Sequence, residues 1–111
     1  MDSILTSVKK LLMIAEDDHS FDADIIVLIN GAIFALGQLG LGAARGFSIA
    51  DDIATWDDLL GGAGELEAVK TYIYLKVRAV FDPPASSAVS ESLKHAADEA
   101  EWRVLAELDG N

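Results

Sequence analysis

"YIYLKVRAVFDPPASS", residues 72–87, decides the fold of this chain, because a helical repeat runs straight into two prolines. Upstream and through it, Leu66, Val69, Ile73, Val77 and Val80 recur at three and four residues, the spacing of one buried helix face. Tyr72, Leu75 and Ala79 widen that face, while Lys70, Tyr74 and Arg78 fall on one stripe opposite it, with Thr71 alongside. Lys76 is the exception, since it lies within the apolar sector. A stem snorkelling along that sector accounts for it more simply than an ion pair with a carboxylate of another helix or subunit. Asp82 precedes Pro83 and is pushed out of the helical region, and neither Pro83 nor Pro84 can continue the ladder. Ser86 or Ser87 then caps a final helix through "AVSESLKHAADEAEWRVLAEL", rich in Ala, Glu and Leu. "FDPPASS" is therefore the elbow between a helix over about 65–81 and one over about 87–109.

Working back toward the N-terminus, Ile4, Leu5, Val8, Leu11 and Leu12 give helix spacing from Ser3 to about Ile14. Asp2 or Ser3 is placed to cap it, and Lys9 and Lys10 lie toward the negative end of its dipole. "AEDDHS" reads as a polar loop, after which Ser20 is a plausible cap for a second helix running to about Leu39, with Asp22 and Asp24 in its first turn. Gly37, Gly40 and Gly42 mark where it frays. In "GFSIADDIATWDDLLGG", residues 46–62, the spacing of Phe47, Ile49 and Ile53 suits a short hairpin or an irregular loop pinned by its apolar side chains. Thr55-Trp56-Asp57-Asp58 has the form of a helix start, with Trp56, Leu59 and Leu60 facing inward and Gly61, Gly62 and Gly64 ending the turn. The reading is mainly α: one helical domain over 1–111, a small bundle of about four helices with a short irregular or hairpin insertion.

Composition narrows the function. The 111 residues carry 19 acids against 8 Lys and Arg, a formal net charge of −11, which argues against a direct grip on phosphate backbones and suits a basic protein partner. No cysteine is present, so disulfide and thiolate chemistry are excluded. The N-terminus has Asp2 where a secretory signal wants positive charge, and the expectation is an intracellular protein. Residues 25–44 are 20 in a row without a charge, enough to span a bilayer. Asn30, Gln38 and four glycines stand against insertion, and a central helix covered by its neighbours is the preferred account.

Reactive constellations are scarce. His19 and His95 belong to no metal or nucleophile pattern and default to surface positions. The pairs Asp17-Asp18, Asp51-Asp52 and Asp57-Asp58 lack the alternating ligands and central glycine of a calcium loop. "GGAGELE" lacks the Lys-Ser/Thr of a phosphate loop, and capping explains Ser86 and Ser87. No enzyme activity, metal or cofactor is expected. Trp102, in "DEAEWRVLAEL", either packs against the preceding helix or marks an interface.

Several blocks together carry a resemblance: "MDSILTSVKKLL", "FDADIIVLIN", "QLGLG…GFSIADD…TWDDLL", "LEAVKTYIYLKVRAVFDPP", "SSAV" and "EWR". Over nearly its whole length the chain resembles the small head–tail connector (adaptor) proteins of tailed bacteriophages and prophages. The resemblance implies a helical structural protein without cofactor or catalysis, at the virion head–tail junction after assembly in the bacterial host cytoplasm. It implies docking on the portal protein, alongside other head completion or tail proteins, as a homo-oligomeric ring generally of twelve copies. DNA would pass through without specific binding, and the negative charge would suit an acidic lumen. The alternatives are a small acidic protein-binding regulatory module or a small single-span membrane protein over residues 25–44.

The final helix, ~34 Å long, should outrun its ~25 Å partner by about six residues. That overhang would carry Leu105 and Leu108, with Trp102 and Arg103 at its base. These four residues and Lys76 are the candidate portal or subunit interface. Loss of residues 101–111 is accordingly expected to leave a folded domain that no longer docks, unless the first helix packs beneath the overhang and buries it.

Overall fold

The computed structural model describes residues 2–61 and 66–109, with side chains to residue 106. The elements are α1 (Ile4–Leu11), α2 (Asp22–Leu39), a 3₁₀ turn (Gly42–Ala44), α3 (Trp56–Leu60), α4 (Leu66–Phe81) and α5 (Ser87–Asp109). Among the described residues there is no strand, only an isolated antiparallel bridge between Ser3 and Thr55. The expected mainly α bundle is observed, and the insertion takes its irregular form rather than the hairpin.

Each helix end has a local cause. The Ser3 hydroxyl accepts from the Thr6 N–H at 3.1 Å and caps α1, whereas Asp2 pairs with Lys10 at 2.8 Å. The helix stops at Leu11, three residues short of expectation. Met13 adopts a left-handed conformation (φ 66°), and the N–H groups of Ile14 and Met13 turn back to the carbonyls of Lys9 and Lys10. That closing pattern usually employs glycine, so a methionine there implies support from elsewhere. At the end of α2 the same pattern is built on Gly40 (φ 116°), with the buried Leu41 seated by Leu36.

The support near Met13 comes from Lys9, which was expected at an open helix end and is instead 3 % exposed. Its ammonium donates to the carbonyls of Glu16 (3.1 Å) and Asp18 (2.7 Å) and lies 2.8 Å from the Asp22 carboxylate. The Asp22 contact is an ion pair, and Oδ1 has no other donor. One cation thus gathers the loop between α1 and α2. Ser20 is not the cap of α2; Phe21 holds that position without a side-chain bond, and the Ser20 N–H is taken by Asp18 at 3.0 Å.

The core joins Ile4, Leu5 and Val8 of α1, Ile25, Ile29, Ile33 and Leu36 of α2, and Val69, Ile73 and Val77 of α4. α4 packs against both α2 and α5. Two faces of it are therefore covered, and Ala68, Tyr72 and Leu75 are buried as well. The terminal members of its expected stripe, Leu66 and Val80, are exposed, because the core lies against the middle of the helix. α2 is long and apolar enough to cross a membrane by length and composition. Here one face of it is packed into the core, and Val27 and Phe34 on the other remain exposed.

The segment between α2 and α3 is irregular yet fixed. The Asn30 side chain donates to the Ile49 carbonyl at 2.9 Å and accepts from the Ile49 N–H at 2.8 Å, pairing with it as a strand edge would. The Ile4 N–H reaches the Ala54 carbonyl at 2.8 Å, and the Trp56 indole N–H reaches the Ser7 hydroxyl at 3.0 Å. Ile49 and Trp56 are buried and Phe47 half-buried, as expected of anchors, while Ile53 is exposed. Thr55 and Asp58 form a reciprocal capping box that starts α3, and Gly61 (φ 57°) ends it.

Candidate interaction surface

Several chemistry-bearing side chains among the described residues are occupied by structural work. Among the described residues no three His, Asp or Glu side chains converge as a metal site would need. His19 sits on the surface with Nδ1 2.7 Å from Asp22, in the loop that Lys9 gathers. The Lys9 ammonium, helped by His19, holds the Asp22 carboxyl below the usual carboxylate range, against the opposing effect of its partial burial. The acidic pairs shape turns: Asp18 receives Ser20, Asp51 receives the Ile53 N–H at 3.0 Å, and Asp58 completes the capping box. Burial pushes the Tyr72 hydroxyl above its ordinary pKa, and nearby Glu101 adds to this.

The basic residues around the opening stretch are similarly engaged. Lys70 stands 5.9 Å from the centre of the Trp56 ring, so the N-terminal end of its stripe meets the insertion. Arg78 donates to the Tyr74 hydroxyl at 3.2 Å, one turn away. Lys76 lies 5.6 Å from the centre of the Tyr72 ring with its side chain exposed. It has no carboxylate partner among the described residues, which agrees with the snorkelling account. At the elbow, Phe81 meets Phe21 edge to face, with ring centres 5.4 Å apart, tying the α4–α5 turn to the start of α2.

The candidate interface on α5 is partly open. Trp102 is 66 % exposed, and Arg103 is exposed and paired with Glu99 at 2.9 Å. Leu105 is half-buried, whereas Val104 between these residues is buried in the core. The side chain of Leu108 lies outside the described residues. A shallow groove of about 560 Å³ runs between α4 and α5, lined by Ala68, Thr71, Ala96 and Ala100 together with Trp102 and Arg103.

A second surface was not singled out from sequence. Phe34, Phe47 and Arg45 surround a groove of about 550 Å³ between the C-terminal half of α2 and the segment after the 3₁₀ turn. Arg45 Nε donates to the Gly37 carbonyl at 3.2 Å, which lays the guanidinium across the end of the helix. The signal in the sequence is the uncharged run of residues 25–44, which holds more apolar side chains than one core face can use.

Among the described residues the helical body presents an exposed tryptophan on α5 and an apolar groove beside α2, surfaces suited to making contacts. The family model described as "Phage connector protein" matches residues 4–111, and the chain belongs to that family. It is accordingly a structural component of the phage particle, associated with the head–tail junction. No curated protein and no solved structure matches the chain.

Proposed function

We propose that residues 1–111 act as one connector domain that docks on the portal as a ring, generally of twelve copies, and leaves a channel for DNA between the filled head and the tail. Membership of the connector family carries this reading. The exposed Trp102 and Arg103, with Leu105, Leu108 and Lys76, serve as contact residues toward the portal or a neighbouring copy. Assembly takes place in the host cytoplasm, where other head completion or tail proteins follow. The net charge of −11 supports a bore that repels the passing genome, so DNA is conducted without being bound.

The test is binding of the purified protein to the purified portal ring of the same phage, followed by imaging of the complex. A closed ring seated on the portal is the expected result, and a portal that leaves the protein unbound would overturn the reading. In the imaged complex, acids found on the outer rim would remove the account of the bore alone.

A further inference from the structure

We propose that the groove between α2 and the residues after the 3₁₀ turn receives Trp102 from a second copy of this chain, in head-to-tail fashion. The inference rests on the connector reading and names the contact that would build its ring. The groove is concave and apolar, walled by Phe34 and Phe47, with Arg45 at its rim. Arg45 is held in place by Gly37, yet it faces no carboxylate among the described residues of a chain carrying 19 acids. Its site lies at the C-terminal end of α2, where the helix dipole favours a cation and helps fix it there.

The complementary feature is on α5. Trp102 is exposed at the edge of the α4–α5 groove, and the exposed Asp98 stands one turn before it, without an ion-pair partner among the described residues. An indole entering the groove would cover Phe34, which is 66 % exposed, and would bring Asp98 toward Arg45. Tryptophan and arginine are the residues enriched at interface centres, and an acid such as Asp98 suits the polar rim around them. α4 packs against α2 and α5 alike, and the groove and the tryptophan are carried by these two different helices. Neither surface complements itself: one is a hollow with a cation, the other a knob with an acid. Contacts between unlike patches are heterologous and repeat from copy to copy, closing into a ring where the rotation permits.

The absence of native cysteine gives a clean experiment. Gln38 at the groove and Ala106, one turn beyond Trp102, are both exposed, so Gln38→Cys and Ala106→Cys should fold as the parent does. The two single variants are mixed and oxidised at high protein concentration, alone and on portal rings. Disulfide dimers are expected only from the mixture, and the double variant should give a ladder of multimers. Trp102→Ala should abolish the ladder at concentrations where the parent forms it, corresponding to an association at least ~10-fold weaker. Asp98→Arg should also weaken it, and Arg45→Asp in the neighbour should restore it.

Several copies bound to the portal without a mixed cross-link would overturn this interface and leave the connector reading standing. Mixed cross-links in a protein that does not bind the portal would do the reverse. Dimers from either single variant alone, or a disulfide from the Gln38→Cys variant to a cysteine introduced in the portal, would identify a different occupant and sink the proposal.

Discussion

α2 and α5 are the two longest helices, of 18 and 23 residues, and they are helical for opposite reasons. α2 contains Gly31 and Gly37, each costing about 1 kcal/mol of helix propensity relative to alanine, and it has no side-chain cap. It is held by burial: Ile25, Ile29, Ile33 and Leu36 are fully enclosed. In α5 only Ala100 and Val104 are buried among the residues with described side chains. That helix draws more on its own sequence, on Ala, Glu, Leu and Lys and on the Glu99–Arg103 pair one turn apart, in addition to its packing along α4. The body of the protein therefore depends on tertiary contacts, whereas α5 is a stiff element laid against α4.

Substitutions can break that contrast or sharpen it. The largest loss is expected in the body, where Trp56→Ala should cost about 3–5 kcal/mol and release the insertion from Ser7. An unchanged melting temperature would mean that the insertion is not part of the body. Lys9→Met should follow at about 3 kcal/mol, since it strands two carbonyls and the Asp22 carboxylate.

The same latch sets a pH dependence. Asp22 titrates below its unfolded value, so its contribution is present above about pH 4 and is lost as pH falls through the lower, folded pKa. Acid titration of Asp22→Asn should lack that component, and a variant as acid-sensitive as the parent would place the cause elsewhere. On α5, Val104→Ala should cost about 1.5 kcal/mol, the value of two buried methyl groups. Trp102→Ala should stay within about 0.5 kcal/mol of the parent in melting while losing association. A large drop in melting temperature for Trp102→Ala would erase the distinction between the helices.

The Val104 result also bears on the expected overhang. Among the described side chains, removing residues 101–111 takes away the core Val104 together with the exposed Trp102, so this part of α5 is not a wholly free projection. Denaturant melts of the truncated chain should show the Val104 loss, and docking should fail in the same protein.

Period and punctuation made much of this legible in the sequence. The three-and-four repeat located α4, Asp82-Pro83-Pro84 located the elbow, and Thr55–Asp58 located α3. What escaped are interactions between side chains and distant backbone. Lys9 looks like a solvated residue beside Lys10, and only the fold of residues 13–18 brings carbonyls around it. Asn30 is one polar residue in an apolar helix until Ile49, 19 positions later, meets both ends of its amide. The α2 groove needed three dimensions because Arg45 and Phe47 reach it from outside the helix. Trp102 was legible as a site of two meanings, and it stands exposed at the edge of the groove between α4 and α5.

The grip of Asn30 on Ile49 also has a chemical consequence over time. Asn30 is followed by Gly31, the dipeptide in which the glycine nitrogen most readily attacks the side-chain carbonyl carbon, expelling ammonia through a cyclic imide. Inside α2 that nitrogen belongs to the helical ladder, and both polar atoms of the amide are held by Ile49. Ageing at this position requires the helix and the insertion to part together. The slow appearance of a more acidic form of the protein would thus record how often the body opens, and assembly into a particle should stop that clock.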